Sequence, residues 1–557
     1  MRRILTYLLL LLPFAAGAQE RPDLRVMSFN ILRGDLSAKE KLDWKVRKDA
    51  CLEMVRTRRP SLLGLQECNS TQRDDILSAL VGYGHIGLSV DGDSLFHKVS
   101  SNPIYYDKSM FDLEASGVFW FADDPDSPGM YTWNATKPRN ASWGKFLHKP
   151  TGRHLVYVNM HIQNGLEAVV NRTLSIRLVM EKLREFNPEG YPVICTGDLN
   201  SNANEIYYSP MRQVMNHVAE TCIKADDGYS YNGFTGKSKT GLIDHIFYRG
   251  FKGLEFVVDR DSYAGIQFIS DHWPVYADLA FDPDYNGDGP VPFFDREPSL
   301  DDVRIDIGTW HIPDNIASKP AQLLSLLEDN GVEVLGVQGL DRNSERLLRT
   351  ELKKNTKGKY ALLSVYSDPM NPKISSVVAL IYDRMRVEVE QMNPFWLRDK
   401  LDEPGLCWDN ATSWGGLAAT LKDKTTGKSF FVATTLLPAD KGARSMSPAP
   451  LKNVDRWYNT DQLPSFLLAD FNGPDRERYY MSLLNFWADT YSLQRAERDS
   501  RLATQTSDNL SDWSKKTDFV CLRHFIDNDV IVDTHRVMRS ESSTPVHYPV
   551  ISTIVLK

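Results

Sequence analysis

From Leu24 to about Ala280 the chain reads as short apolar runs separated by polar loops. Arg25–Asn30 alternates apolar and polar positions as a half-buried strand does. Ser61–Gln66 is nearly all apolar, which predicts a buried strand ending at Glu67. Leu155–Met160 and Pro192–Thr196 predict two more strands. Lys45–Arg58 sets Val46, Ala50, Met54 and Val55 at helical spacing, and Thr173–Phe186 predicts a second helix that stops before Pro188. Strands outnumber helices, so the pattern predicts an α/β (α+β) chain of sheets covered by helices. Phe281–Leu300 loses all periodicity and is rich in Asp, Pro and Gly, as a linker is; the strand pattern restarts at Arg304. Asp284–Gly289 within the linker copies the start of a calcium loop. Position twelve is Asp295 where a Glu is needed, so it reads as an acidic turn.

A repeat changes this picture. Gln66 and Gln338 sit in Leu-Gly-Leu-Gln and Leu-Gly-Val-Gln, and Asp198 and Asp470 in Gly-Asp-Leu-Asn and Ala-Asp-Phe-Asn; both pairs are 272 positions apart (338 − 66, 470 − 198). Asp244 and Asp518, then His272 and His547, follow in the same order with nearly the same offset. The chain is therefore expected to hold two tandem copies of one domain. The expected boundaries are 1–18 for a signal peptide, 22–281 for a first copy, 282–300 for a linker and 301–557 for a second copy. A length of 557 residues exceeds what one hydrophobic core supports and agrees with two.

Net charge is −8 and no long basic run exists, so nothing in the composition advertises tight nucleic-acid binding, and a nuclease can recruit divalent cations and keep its cationic groups local. Met1-Arg2-Arg3, the apolar run Ile4–Ala16 and the small residues Ala16-Gly17-Ala18 predict a cleaved signal peptide and an exported (periplasmic or extracellular) protein, with no transmembrane segment after it. Six cysteines are too few for a disulfide scaffold. Cys51 and Cys195 read as buried thiols, and one bridge among Cys51, Cys68, Cys195 and Cys222 is left open.

The chemistry lies at strand ends. Asn30 and Glu67 each close a strand; Asp198 and Asn200, two apart, follow Val193–Gly197; Asp244 follows Gly-Leu-Ile, and Asp271-His272 follow Phe-Ile-Ser. A carboxylate at the end of an apolar strand is costly unless paired or metal-bound, and several in one domain predict a shared rim. Hard oxygen donors without thiolates favour magnesium or manganese over zinc.

The ordered set Ser-Phe-Asn, Gln-Glu, Asn-Met-His, Gly-Asp-Leu-Asn, Ile-Asp-His-Ile and Ser-Asp-His-Trp-Pro-Val resembles the endonuclease/exonuclease/phosphatase (DNase I-like) superfamily over Leu24–Ala280. Trp44–Arg47, Gly117–Trp120 and Tyr231–Phe234 look like its secreted, poorly characterised branch. The resemblance implies a four-layer α/β sandwich and metal-dependent phosphate-ester hydrolysis with Mg2+ or Mn2+. It implies Asn30, Glu67 and Asp271 as the metal group. It implies Asp198 as orienter or base for water, Asn200 as a transition-state donor, Asp244 as the partner that orients His272, and His272 and His161 on the phosphate side. The branch's usual Thr-His-x-Asp is here Met160-His161-Ile162-Gln163-Asn164, so Gln163 stands where a carboxylate would and Asn164 is left as a neutral phosphate donor.

The second copy keeps Asp470, Asn472, Asp518 and His547. Gly339 replaces Glu67, Thr435 replaces His161, Val546 replaces Asp271, and Thr309 or Trp310 falls at Asn30, which predicts a pseudoenzyme. Its Trp396, Trp408, Trp414 and Tyr491 are expected in the core, with a ligand groove as the other reading. The expected activity is phosphodiester (nuclease-type) hydrolysis by water. Phosphomonoesterase action on sugar, inositol or lipid phosphates, or phosphate-ligand binding without catalysis, are the alternatives. The expected partner is a phosphate ester, nucleic acid, sugar phosphate or lipid phosphate; protein partners are open.

Overall fold

In a computed structural model the described residues are 21–36, 43–92, 101–133, 135–165, 168–237, 240–287, 289–292, 298–312, 320–373, 375–408, 413–473, 478–499, 501, 503–505, 512, 515–525, 529–539 and 547–556. The expected signal peptide 1–18, Asp295 of the linker and Val546 lie outside them. Among the described residues no helix is long and apolar enough to cross a membrane.

Four sheets form two pairs. In the first pair, a seven-stranded sheet runs Lys224–Ala225, Phe251–Val258, Val275–Phe281, Leu24–Asn30, Leu62–Gln66, Ile104–Asp107, Tyr83–Ile86. Its six-stranded partner runs Phe111–Trp120, Asn140–His148, Arg153–His161, Val193–Asp198, Asp244–Arg249, Asn216–His217. The second half repeats this with two six-stranded sheets, centred on Arg304–His311 beside Val334–Leu340 and on Ser429–Leu436 beside Ser465–Asp470. The α/β sandwich in two tandem copies is therefore what the chain forms.

Side-chain alternation builds the layers. Leu24, Val26 and Leu62 of the first sheet meet Leu155, Tyr157, Ile194 and Ile246 of the second. Met27, Phe29, Leu63 and Leu65 point the other way, onto Ala50, Cys51, Met54 and Val55 of helix Trp44–Arg58. Val46 is 41% exposed, so the buried face of that helix instead includes Trp44 and Arg47. The helix predicted from Thr173 starts at Val169 and is buried nearly all round. One apolar cluster explains why: Val158 and Cys195 of the first copy, Leu174 and Val179 of this helix, and Leu451, Leu483, Leu467 and Ala469 of the second copy pack together. The two copies thus share a core through their facing helical layers, and Arg177 Nη2 donates to Gln494 O across it.

Trp396 lies in the core between the second copy's sheets, and Tyr491 lies in the core shared by the two copies, with Trp408 and Trp414 packed partly buried against the latter. All six cysteines are free; burial pushes the Cys51 and Cys68 thiols up to about 12.

Candidate active site

Parallel pairing brings the chemistry to one edge. Leu24–Asn30 runs parallel to Leu62–Gln66 with Asn30 opposite Gln66, and Arg153–His161 runs parallel to Val193–Asp198 with His161 opposite Asp198. The antiparallel strand Asp244–Arg249 begins where its neighbour ends, so Asp244 stands opposite Asp198. Asn30, Glu67, His161, Asp198 and Asp244 therefore share one rim of the sandwich, with Asp271-His272 arriving just before Val275.

The rim is built on polar cross-links. Beneath it Gln66 Nε2 donates to Asn159 Oδ1 (2.7 Å) and Ser28 Oγ, and Asn159 Nδ2 donates back to Leu65 O, tying one sheet to the other. The buried Arg47 guanidinium donates to Ile31 O, Leu32 O and Ile269 O. It thereby fixes the backbone after Asn30 and before Asp271. Ser230 Oγ accepts from Asp244 N, and Ser270 Oγ donates to Asn30 O.

Asp198 is the hub. Its Oδ2 accepts from Asn30 Nδ2 at 2.9 Å and lies 3.3 Å from His161 Nε2 and 3.8 Å from His272 Nε2; its Oδ1 accepts from Asn200 N. Burial, the largest cause, raises its pKa, His272 opposes this, and Asp244 adds to it. His272 Nδ1 sits 2.7 Å from Asp244 Oδ2. Burial alone disfavours the imidazolium, yet Asp244, Asp198 and Asp271 together outweigh it and raise His272 to about 10. The Nδ1 contact fixes which nitrogen faces Asp198. His161 is pushed the other way: burial, then Arg139 and Lys137, hold it well below the usual imidazole value, so it stays neutral. Asn200 Nδ2 donates to Ile162 O, so one amide hydrogen clamps the loop after His161.

The implied metal group passes a chemical test of fit. Among the described residues the only hydrogen bond to the Glu67 carboxylate comes from Arg33 N, at 3.3 Å. Asp271 is raised chiefly by burial; His272 opposes this and Glu67 adds to it. Asn30 Oδ1 accepts from Leu32 N and keeps a lone pair. Two carboxylates and an amide oxygen suit a hard divalent cation.

Sequence reasoning missed two groups. Lys137 and Arg139 are electrostatically coupled to Glu67, and Arg139 also to Asp198. Arg139 is 6% exposed, its Nε has no hydrogen-bond partner, and its Nη2 reaches Asn164 Oδ1 at 3.5 Å. Burial lowers Arg139, and Arg139 in turn is the main cause that lowers Lys137. Asn164 is thus an acceptor for Arg139. Gln163 Nε2 donates to Thr136 Oγ1, holding the Lys137–Arg139 segment against the His161 strand end. Thr136-Lys-Pro-Arg139 carries no periodicity, and only the folded chain places it here.

Register corrects two equivalences in the second copy. His311, rather than Thr309 or Trp310, stands opposite Gln338 and so occupies Asn30's place; Leu436, rather than Thr435, stands opposite Asp470 and so occupies His161's place. The segment joining the first two strands is shorter in the second copy, which hid the first equivalence. His311 Nδ1 lies 2.6 Å from Asp470 Oδ2, His547 Nδ1 2.8 Å from Asp518 Oδ2, and Thr504 Oγ1 accepts from Asp518 N as Ser230 does from Asp244 N. His547 is raised to about 9: burial opposes, Asp518 and Asp470 prevail. Gly339 (φ 80°) takes Glu67's place (φ 61°), and a Cβ there would overlap the His311 ring.

The sequence model of the Endonuclease/Exonuclease/phosphatase family matches residues 27–272. No curated protein matches. Similar solved structures include a mannosyl-6-phosphatase of Bacteroides thetaiotaomicron, 31% identical over 46% of this chain and 100% of that one, TM-score 0.43. A family protein of Bacteroides vulgatus is 28% identical over 46% and 99%, TM-score 0.43. The human Nocturnin catalytic domain is 18% identical over 48% and 96%, TM-score 0.38. With its rim of Asp198, Asp244 and His272 lying inside the matched span, the chain belongs to the endonuclease/exonuclease/phosphatase family of phosphoester hydrolases.

Proposed function

We propose that the first copy hydrolyses phosphate monoesters on small polar substrates such as sugar phosphates. The observation that carries this is the buried Arg139, whose Nε has no hydrogen-bond partner and whose charge acts on Glu67 and Asp198, with Lys137 near it in sequence and acting on Glu67. A monoester is a dianion near neutral pH, whereas a diester phosphate carries one charge. Two cations in an acidic rim suit the dianion, and a chain of net charge −8 offers no extended basic track for a polynucleotide. This reverses the order expected from sequence, where the diester came first.

In this reading Arg139 and Lys137 bind the non-bridging phosphoryl oxygens. Asn30, Glu67 and Asp271 would hold Mg2+ or Mn2+, which would supply Lewis-acid charge at the phosphoryl group. Asp198, aimed by Asn30 Nδ2 and Asn200 N, accepts a proton from the attacking water; its raised pKa makes it a stronger base than an exposed aspartate. His272, kept protonated and oriented by Asp244, holds a proton at Nε2 facing the charge that builds on phosphorus. His161, neutral, contributes a hydrogen bond without adding charge. The basic n-region and apolar run at residues 1–18 support export, and the loss of Glu67's counterpart supports a non-catalytic second copy.

The test is hydrolysis by the full-length mature chain of mannose 6-phosphate, p-nitrophenyl phosphate, bis(p-nitrophenyl) phosphate and an oligonucleotide, with Mg2+ or Mn2+ and with EDTA. Monoesters turn over at least about tenfold faster than diesters, and EDTA abolishes turnover. Faster diester cleavage overturns the substrate class, and turnover undiminished by EDTA overturns the metal.

A further inference from the structure

The second copy keeps a buried polar cluster at the rim position, but with different donors. Asn30's place holds the imidazole of His311, Glu67's place holds no side chain, and Asp470, Asp518 and His547 occupy the places of Asp198, Asp244 and His272. The set changes from oxygen-rich to two imidazoles and a carboxylate. His311, Asp470 and His547 each offer a ligand atom, all within 4.8 Å of one another. Asp470 and His547 are buried and the His311 side chain is 22% exposed. Asp518 lies behind His547, fully buried, with Oδ2 on the imidazole and Oδ1 without a hydrogen-bond partner.

We propose that this cluster is a metal site of its own, binding a borderline transition-metal ion of the zinc class through His311, Asp470 and His547. Ligand chemistry decides the class: imidazole suits zinc, cobalt, nickel or copper, and a site without Glu67's carboxylate has lost the hard oxygen set that magnesium requires. Geometry agrees. Ligand atoms on a tetrahedral ion at about 2.0–2.1 Å lie about 3.3 Å apart. Asp470 Oδ2 lies 2.6 Å from His311 Nδ1 and the three ligand atoms stand within 4.8 Å of one another; His547 Nδ1 is bonded to Asp518 Oδ2, so Nε2 is the nitrogen left for the ion. The close His311–Asp470 pair is held by a proton where an ion would sit. Gly339 belongs to the same change, because a side chain there would meet the His311 ring. Exchange of Glu for Gly and of Asn for His are then one coordinated replacement of a hard site by a softer one. The two copies accordingly differ in metal preference, and the proposal stands whether or not the first copy hydrolyses monoesters.

The experiment uses the full chain carrying Glu67→Ala and Asp198→Asn, so that the first copy no longer competes. Cobalt titration gives one equivalent per chain, with visible ligand-field bands of nitrogen coordination. Zinc displaces it and millimolar magnesium does not. His311→Asn, which supplies the amide that makes the equivalent carboxylate bond in the first copy, weakens cobalt binding at least about 100-fold. Absence of saturable cobalt binding overturns the proposal, as does binding that survives both His311→Asn and His547→Asn, or displacement by magnesium. Thermal unfolding of each metal-free variant is read alongside. Should a substitution unfold the copy, the zinc-dependent rise in Tm of the chain with an intact cluster decides the matter, and no rise overturns the site.

Discussion

The two rims have the same backbone and different charges. In the first, Asp198 and Asp244 are joined by Glu67 and Asp271, and positive charge comes from His272, Lys137 and Arg139. In the second, the Glu67 carboxylate is absent and an imidazole stands 2.6 Å from Asp470. Features common to both rims, the Gln66 and Gln338 bonds between sheets and the Ser230 and Thr504 bonds to the aspartate N–H, therefore hold the scaffold. Features confined to the first, Glu67, His161 and the Lys137–Arg139 pair, are those to which the proposed function assigns its distinctive chemistry. One chain thus contains its own control, with the fold kept and the acid set changed.

The comparison breaks most sharply under substitution of the hubs. Glu67→Ala lowers kcat/KM at least about 10³-fold, while Asp470→Asn changes it less than about twofold, by steady-state hydrolysis. His272→Asn lowers kcat about 10²–10⁴-fold, and the matching His547→Asn leaves it unchanged. Arg139→Met lowers kcat/KM for monoesters about 10²-fold and for diesters about tenfold or less, which separates a dianion-binding role from a merely structural one. Two smaller effects sharpen the second copy. Gly339→Glu destabilises it by ~1–3 kcal/mol through overlap with His311, and by less in a His311→Asn background, by chemical denaturation. His547, raised to about 9 when folded against an ordinary value near 6.5, stabilises the metal-free copy fully below 6.5 and progressively less as pH climbs through 9. Denaturation at pH 6 and pH 9.5 shows that fall, and His547→Gln flattens it.

What was legible in the sequence follows from what is local. Strand ends are local: an apolar run stopping at Asn30, Gln66 or Gly197 marks both the strand and the rim, and parallel pairing then carries those ends to one edge. The repeat was legible because four landmarks kept their order. Non-local features were not. Lys137 and Arg139 lie in an aperiodic loop, and only the folded chain brings their charges to bear on Glu67. Val46 fitted helical spacing, but Arg47 is the residue that turns inward, to cap three carbonyls around the site. His311 was obscured by a length difference between copies, since landmark spacing fixes a strand only as well as its neighbouring loops agree. The long burial of helix Val169–Phe186 depends on the second copy, which no pattern within the helix records.

The most direct test of the central claim, that one rim hydrolyses and the other does not, compares Asp198→Asn with Asp470→Asn in otherwise unaltered full-length chains, using p-nitrophenyl phosphate and Mg2+ with thermal unfolding as a check on the fold. The account predicts that kcat/KM falls at least about 10³-fold in the first and stays within about twofold of the unaltered chain in the second. Equal losses in both, or a loss confined to Asp470→Asn, would contradict it.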